Sequence, residues 1–292
     1  MGSRLRQELF NTRLAQIAGP AGPACGPTLI DGVPSQLVRV MTFNVRMVTL
    51  RDGANHWPNR ASLCARVIRA QAPDLVGFQE MQNDHVELLE PVLCELHGEL
   101  GLDASSQLRP EHQAVFWRPD RFELLASGSF YLSDTPDRWS TGWDAACPRV
   151  ATWVRLHPRG GSGQVLFCNT HLDREGQLAR REAARLIAGR LPKAPAEILA
   201  GDFNAVPGSP PHQLLAEEGF RDISPDLPPS EARVGGGGQG TFHGFRGAAS
   251  RRIDWLLVRG AVEVESCRIV RDAEPPLYPS DHYPVVADLL LR

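Results

Sequence analysis

The chain has 292 residues, of which 42% are apolar and 22% are charged, and its formal net charge is −3 at pH 7. These proportions are ordinary for a soluble globular protein with a sizeable core. The net charge gives no overall basic field. The composition therefore does not favour tight electrostatic binding of long nucleic acid, although it is compatible with a local basic groove.

Cysteine usage and the start of the chain narrow the class further. The six cysteines are scattered and form no Cys-x-x-Cys pair or His/Cys cluster, which argues against a structural zinc site or a disulfide scaffold. The first residues contain no continuous apolar segment typical of a secretory signal. No run approaches the roughly 18 apolar residues that a membrane span requires. We therefore expect a cytoplasmic protein without a membrane span.

The predicted elements follow one another irregularly, with strands in the majority. Residues 1–36 contain the linker-like stretch GPAGPACGP and are expected to form an N-terminal extension that is flexible or a short helix. Periodicity then predicts, in chain order, a strand at 37–46, a helix that begins at 58 and ends before Pro73, a strand at 75–80, a helix at 85–97, and strands at 113–119, 122–133, 149–158 and 163–173. There follow a helix at 176–191, a strand at 196–200, a short helix at 211–220, a loop at 235–244, and strands at 251–260, 261–271 and 283–291. Pro91 argues against a continuous second helix. Residues 37–292 are expected to form one mixed α/β domain.

Polar side chains stand where the apolar runs stop. Six separate elements each supply Asn, Gln, Asp, Glu, Ser or His there, namely Asn44; Gln79 and Glu80; Asn169, His171 and Asp173; Asp202 and Asn204; Asp254; and Ser280, Asp281 and His282. If these strands belong to one sheet system, their ends converge on one edge, where α/β folds place their sites. Such an oxygen-rich set suits a hard divalent cation, Mg²⁺ or Mn²⁺, together with a phosphate.

The pair Asp202 and Asn204 illustrates the choice between a turn and a site. Asp and Asn both serve turns through bonds to their own backbone, so a turn role is one interpretation. On an extended backbone, however, residues two apart point to the same side. Asp202 and Asn204 would then address one water molecule and one phosphorus atom.

Six motifs in series carry a family resemblance. They are TFNVR, GFQE, NTHLD, AGDFN, RIDWLLV and SDHYPV. In this order they resemble the endonuclease/exonuclease/phosphatase superfamily, which includes DNase I, abasic-site endonucleases, sphingomyelinases, inositol-polyphosphate 5-phosphatases and deadenylases. The likeness covers about residues 37–292 and is nearest to a compact bacterial branch related to deadenylase-like members. It implies a DNase-I-like four-layer α/β/β/α sandwich, with two mostly antiparallel sheets flanked by helices.

The resemblance also implies roles for individual residues. The metal would be held by Asn44 and Glu80, with Asp281 near it. The catalytic set would be His171, Asp202, Asn204, Asp254 and His282. In that set Asp202 aligns or deprotonates the attacking water, Asn204 orients the water or the phosphate, and His171 contacts the phosphate. His282 acts as base or as a charged phosphate contact, oriented by Asp254.

Substrate contacts are expected from Arg46, Arg149, Asn169 and His243. Arg46 departs from the abasic-site enzymes, which carry Asp at this offset, and agrees with DNase-I-like members, which carry Arg. The abasic-site interpretation is weakened accordingly. The chain contains a single lysine, Lys193, whereas inositol-phosphate enzymes read their substrates with Lys/Arg clusters, so that branch is disfavoured.

These patterns favour a Mg²⁺- or Mn²⁺-dependent phosphoester hydrolase that acts by in-line attack of water. The first expectation is a phosphodiesterase or nuclease, endonuclease or exonuclease, acting on short or single-stranded nucleic acid. The alternative is a lipid or small-molecule phosphodiesterase or phosphatase of the sphingomyelinase kind. A catalytically silent binding module is a third hypothesis. No obligate protein partner is inferred.

Overall fold

The computed structural model describes residues 37–104, 110–223 and 240–292. The predicted N-terminal extension (1–36) and the first half of the predicted glycine-rich loop (235–239) lie outside the described residues, so the division of the chain into extension and domain stays a prediction. None of the helices in the described ranges is long and apolar enough to cross a membrane.

The first sheet has the strand order β11-β12-β1-β2-β4-β3. Its strands are β1 (Leu37–Asn44), β2 (Leu75–Met81), β3 (His97–Glu99), β4 (His112–Trp117), β11 (Val262–Ile269) and β12 (Val285–Leu291). All neighbours are antiparallel except β1 and β2, which run parallel up to the pair Asn44 and Gln79. The carboxyl ends of β1 and β2 therefore lie at one edge.

The second sheet has the order β5-β6-β7-β8-β10-β9. It consists of β5 (Phe122–Tyr131), β6 (Val150–Pro158), β7 (Val165–His171), β8 (Ala196–Asp202), β9 (Arg221–Asp222) and β10 (Asp254–Gly260). Here β7 and β8 form the parallel pair, with His171 opposite Asp202, and β10 runs antiparallel with Asp254 opposite Asp202. Three predicted site residues thus stand side by side at one edge.

The two sheets pack face to face, and helices cover their outer faces. The helices are α1 (Trp57–Gln71) and α2 (Asn83–Leu93) on the first sheet and α3 (Gln177–Arg190) and α4 (Pro210–Glu217) on the second. The core between the sheets contains alternate residues of both, such as Val40 and Val115 against Phe167 and Ile198. Burying each such side chain contributes about 1.5–3 kcal/mol. The predicted four-layer sandwich is confirmed.

Two details differ from the sequence prediction. Helix α2 continues through Pro91, which lies in its last turn, and ends at Leu93. The strands β3 and β9, at three and two residues, are too short to leave a periodic pattern, and both lie at sheet edges.

Candidate active site

The site lies where the two parallel strand pairs end, and Asn44 joins them. At the end of β1, Asn44 Nδ2 donates hydrogen bonds to Glu80 Oε1 of the first sheet and to Asp202 Oδ2 of the second, each at 3.1 Å. Asn44 Oδ1 in turn accepts the amide of Arg46 at 2.9 Å. All six elements that the sequence singled out contribute residues to this edge or to its supports.

Glu80 leaves the regular strand geometry just before β2 ends. Its φ is +60°, and the β2–β4 register shifts between Phe78 and Met81. The carboxylate faces the loop that follows β1, where Oε2 accepts the Met47 amide at 2.7 Å. Burial opposes ionisation, but the surrounding positive charges, which include the Arg46 guanidinium and the His282 imidazolium, act together with the Met47 amide to lower the pKa of Glu80 to about 2. The carboxylate is therefore ionised at neutral pH.

Asp202 is the centre of the second-sheet half. Its Oδ2 lies 3.4 Å from His171 Nε2 and 3.8 Å from His282 Nε2. Burial and the charge of Asp254 raise the pKa of Asp202 to about 7, against the opposing effect of His282. This carboxyl group titrates near neutrality, as a group that exchanges protons with water must.

The expected extended backbone through Asn204 is wrong. Strand β8 ends at Asp202, and Asn204 has the left-handed φ of +48°. Asp202 Oδ1 accepts the Asn204 amide at 2.9 Å, which is the Asp-centred turn that the alternative interpretation described. The turn nevertheless serves the site, because it carries Asn204 Nδ2 to 3.0 Å from His171 Nε2.

His282 is held by a carboxylate. Its Nδ1 lies 2.9 and 3.1 Å from the two oxygens of Asp254, which begins β10. Burial would lower the pKa of His282, but Asp254 and Asp202 outweigh burial and raise this pKa to about 10. The ring is therefore an imidazolium at neutral pH, and its free Nε2 side lies 3.8 Å from Asp202 and 4.0 Å from Asp281.

His171, unlike His282, is a neutral ring. Because Asn204 Nδ2 donates to Nε2, the proton of the neutral ring resides on Nδ1. Burial and the nearby Arg149 lower the pKa of His171 well below its ordinary value. Its Nδ1 faces Glu111, with Oε1 at 4.0 Å.

Glu111 was missed by the sequence analysis, which inspected only the ends of apolar runs. It directly precedes β4, and β4 runs antiparallel to β2, with His112 opposite Met81. The beginning of β4 consequently lies at the same edge as the end of β2. Burial and the Glu80 charge raise the pKa of Glu111 to about 7. An acidic residue just before an apolar strand was the signal that could have identified it.

The four residues expected to touch substrate differ in accessibility. The Arg46 side chain is 28% exposed and forms a fork on Asp52, with Asp281 3.7 Å away. Arg149 is nearly buried, and its Nε lies 3.4 Å from Asp173. Both guanidinium groups act electrostatically on carboxyl groups of the site. The Arg46 charge lowers the pKa of Glu80, and the Arg149 charge opposes the rise in the pKa of Glu111.

The prediction that Asn169 contacts the substrate is wrong. Its side chain is fully buried between the sheets, where Nδ2 donates to the carbonyls of Phe78 and Ala114, both at 2.8 Å, and Oδ1 accepts from Gln79. A Cβ at Gly77 would lie 2.7 Å from Asn169 Cγ, so only glycine leaves room for this side chain. Asn169 joins the two sheets and has no surface to offer a substrate.

His243 also lies behind the site rather than in its opening. Its ring is 4% exposed and packs on Tyr283, with ring centroids 4.1 Å apart. Burial and the His282 charge lower the pKa of His243 to about 4, so the ring is neutral. Its backbone amide donates to the carbonyl of Asp281 at 2.9 Å. His243 therefore supports the loop that carries Asp281.

Two groups of side chains are candidates for holding a metal. Among the described residues, Asp202, Asp254 and His282 place one ligand atom each within 4.8 Å of one another. Both oxygens of Asp254, however, already face His282 Nδ1. Asn44, Glu80 and Asp281, the set that the family resemblance implies, offer two carboxylates and an amide oxygen, which are the oxygen donors that a hard cation prefers. Burial raises the pKa of Asp281, and the nearby Glu80 charge adds to the rise. A cation would relieve this repulsion.

Comparison with known proteins agrees with this geometry. The model of the Endonuclease/Exonuclease/phosphatase family matches residues 41–282. An endonuclease/exonuclease/phosphatase from Bacteroides vulgatus has 30% sequence identity and a TM-score of 0.77, over 88% of this chain and 99% of that chain. The structure of a mannosyl-6-phosphatase from Bacteroides thetaiotaomicron has 26% identity and a TM-score of 0.74, over 87% of this chain and 100% of that chain.

A curated relative extends the likeness to animals. Protein angel homolog 2 of Danio rerio is 25% identical over 176 residues, which is 55% of this chain and 30% of that protein. The chain thus spans less than a third of the length of this relative. Because the family match covers most of the described domain, the chain belongs to the endonuclease/exonuclease/phosphatase family, whose members hydrolyse phosphoesters and generally use divalent metals.

Proposed function

We propose that this chain is a Mg²⁺- or Mn²⁺-dependent phosphoester hydrolase in which water attacks phosphorus in line. The observation that carries the proposal is the junction at Asn44, whose amide bonds Glu80 and Asp202 from the two sheets at 3.1 Å each. An oxygen-rich metal side and a proton-transferring side thereby adjoin within one hydrogen-bond network. Asn44, Glu80 and Asp281 would hold the metal, which when bound supplies charge neutralisation for the phosphate and the leaving oxygen.

The protein groups divide the remaining work. Ionised Asp202 accepts a proton from the attacking water, because its pKa of about 7 makes it a base matched to neutral pH. The imidazolium of His282, fixed by Asp254, donates its Nε2 hydrogen to a phosphate oxygen and stabilises the developing charge. This assigns His282 the role of charged contact rather than base.

Neutral His171 has a positioning role in this scheme. Its Nε2 accepts a hydrogen bond from Asn204 Nδ2 at 3.0 Å, so it fixes the Asn204 carboxamide beside Asp202. Arg46 and Arg149 supply guanidinium donors for the non-bridging phosphate oxygens. The earlier expectation of a direct contact between His171 and phosphate gives way to this indirect role.

For the substrate we rank a small phosphate monoester, such as a sugar phosphate, first. The likeness to the mannosyl-6-phosphatase extends over 87% of this chain and all of that chain, and its identity exceeds one quarter. A nuclease acting on short or single-stranded nucleic acid, which the sequence resemblance alone supports, becomes the second candidate, and this reverses the order suggested by the sequence.

A substrate panel tests both levels of the proposal. The EDTA-treated protein, with and without added Mg²⁺ or Mn²⁺, is offered mannose 6-phosphate, a chromogenic phosphodiester, single-stranded RNA and sphingomyelin. We expect Mg²⁺-dependent phosphate release from the sugar phosphate, abolished in Asp202→Ala. Turnover of RNA alone would restore the nuclease interpretation. Equal turnover with and without metal would contradict the metal-dependent mechanism.

A further inference from the structure

Arg60 in helix α1 is a fully buried cation outside the set of groups that the proposed reaction uses. Its hydrogen bonds all go to backbone carbonyls: Nε donates to Asn55 at 2.9 Å, Nη1 to Val45 and Pro279 at 2.7 Å each, and Nη2 to Arg46 at 2.8 Å. Burying a guanidinium group is costly unless nearly every donor finds an acceptor. Four well-made bonds at one side chain indicate a site with a specific requirement for arginine.

The carbonyls that Arg60 binds belong to two loops at the active-site edge. Val45 and Arg46 directly follow Asn44 at the end of β1, and Pro279 stands two residues before Asp281. A single nitrogen, Nη1, bridges Val45 and Pro279. The first loop follows Asn44 and the second contains Asp281, which are two of the three residues that the proposed function assigns to the cation.

Neighbouring contacts reinforce the same bridge. Ser280 Oγ donates to the carbonyl of Asn44 at 2.6 Å, and Asn55 Oδ1 accepts the amide of Tyr278 at 3.0 Å. The Arg60 guanidinium also lies 4.8 Å from the ring centroid of Trp57 and 5.8 Å from that of Phe245. Aromatic faces of this kind stabilise a buried cation without removing its hydrogen-bond donors.

The loop after β1 needs such support because its backbone is strained. Arg46 has φ +58°, a left-handed conformation that is unfavourable for a residue other than glycine and persists only where the surroundings hold it. Its carbonyl accepts a second bond, at 3.0 Å from His85 Nε2. Since His85 Nδ1 accepts the Gln82 amide, the proton of this neutral ring lies on Nε2 and points at Arg46. Arg60 and His85 together fix the position of this carbonyl.

We infer that Arg60 is a positioning residue that holds the loops bearing Asn44 and Asp281 at the separation required to bind the divalent cation. The inference rests on the proposed metal site. A lysine has a single ammonium group on a flexible stem, so it cannot reach the carbonyls of three chain segments at once. Arg60→Lys should therefore keep the buried positive charge but no longer hold the two loops at their required separation.

The test measures metal binding directly, by titrating Mn²⁺ into EDTA-treated and dialysed protein in a calorimeter, alongside the thermal unfolding midpoint. Loss of a group that orients metal ligands typically costs about 10–100-fold in metal affinity, and we expect Arg60→Lys to lose affinity in this range. The matched control is Arg259→Lys. Arg259 likewise bonds a backbone carbonyl, that of Glu218, and packs on an aromatic ring, that of Phe220, but it lies in β10 away from the site.

The outcomes separate this inference from the proposed function. Glu80→Gln should abolish Mn²⁺ binding; if the unmodified protein shows no Glu80-dependent binding, the metal site itself is wrong and the role of Arg60 falls with it. If binding depends on Glu80 but Arg60→Lys retains full affinity while unfolding earlier, like Arg259→Lys, only the role of Arg60 is overturned.

A second variant covers the case in which Arg60→Lys does not fold. Asn55→Ala removes the side-chain bond to Tyr278 and loosens the same pair of loops while Arg60 stays in place. We expect weaker Mn²⁺ binding by this variant than by the unmodified protein. Full affinity in Asn55→Ala would overturn the inference.

Discussion

The two imidazoles of the site approach the same carboxylate, but one is positively charged and the other is neutral. His171 Nε2 and His282 Nε2 lie 3.4 and 3.8 Å from Asp202, so proximity to this acid does not distinguish them. His282 has a pKa raised to about 10, whereas the pKa of His171 lies well below its ordinary value. One is an imidazolium and the other a neutral ring, in a single pocket at a single pH.

The difference arises on the far side of each ring. Behind His282, Asp254 places its nearer oxygen 2.9 Å from Nδ1, within hydrogen-bond distance. Behind His171, the nearest Glu111 oxygen is 4.0 Å from Nδ1, and the Arg149 charge opposes protonation. Burial penalises the charged form of both rings, so a hydrogen-bonded carboxylate decides the outcome. The two rings beside Asp202 are therefore one permanent cation and one neutral acceptor.

The largest expected effect follows from removing the shared acid or the permanent cation. Asp202→Ala and His282→Ala should each lower the metal-dependent rate at least ~10²-fold, as expected when a general base or a positioned charge is lost. Steady-state kinetics on the substrate identified by the panel measures the effect, with Arg259→Lys as a folded control. Full activity in both variants would refute the assigned roles.

Asp254→Asn tests the origin of the asymmetry. Replacing the carboxylate with an amide removes the charge that raises the pKa of His282, so this pKa should fall from about 10 towards the ordinary histidine value. NMR titration of the imidazole resonances of metal-free protein follows the change, while the resonances of His171 serve as internal control. A His282 pKa that stays near 10 in the variant would show that Asp254 is not its cause.

The shifted pKa values of His282, Asp202 and Glu80 predict how the stability of metal-free protein depends on pH. The folded-state pKa of His282, about 10, exceeds the ordinary value of 6.5, so its stabilisation is complete below pH 6.5 and is lost as the pH rises to about 10. Asp202, with a pKa raised from 3.8 to about 7, acts in the same direction over the lower window. Glu80 acts oppositely, since its pKa of about 2 makes it lose stabilisation only in acid, below 4.5.

Urea unfolding of EDTA-treated protein at several pH values measures this dependence. The free energy of unfolding should decrease between about pH 6 and pH 10, and Asp254→Asn should flatten that decrease because it removes the proton that His282 retains on folding. A free energy that increases with pH over this window, or an equal slope in the variant, would contradict the charge state assigned to His282.

The sequence predicted the layers and the edge of the site, because apolar periodicity and strand-end polar residues are local features. The sequence could not predict how far each polar side chain lies from the edge of the sheet. Asn169 and His171 are two residues apart in β7 and face the same side, yet Asn169 lies about 7 Å further from the edge, inside the sheet interface. The sequence offered the turn at Asn204 as one of two interpretations but could not choose it, since the turn depends on the carboxylate of Asp202 accepting a backbone amide.

Residues that act through pairing between distant strands were equally hidden. Glu111 reaches the site because β4 runs antiparallel to β2, and Arg60 reaches it because helix α1 packs beneath two loops far apart in the chain. Neither relation can be read from a local pattern. Both depend on which strands become neighbours, which a single sequence leaves undetermined until the sheet order is known.

Glu111→Gln should lower the reaction rate the least of these variants. It tests in most detail why His171 and His282 differ in charge. The Glu111 oxygen lies 4.0 Å from His171 Nδ1, beyond hydrogen-bond distance, so we expect a rate loss within about tenfold, the range of one modest interaction. The informative readout is the pH–rate profile. Because the pKa of Glu111 is about 7, its loss should remove one ionisation near neutrality and leave the dependence on His282 intact. A loss as large as that of Asp202→Ala would mean that Glu111 forms a close pair with His171 during the reaction, and the two imidazoles would then be equivalent rather than opposed.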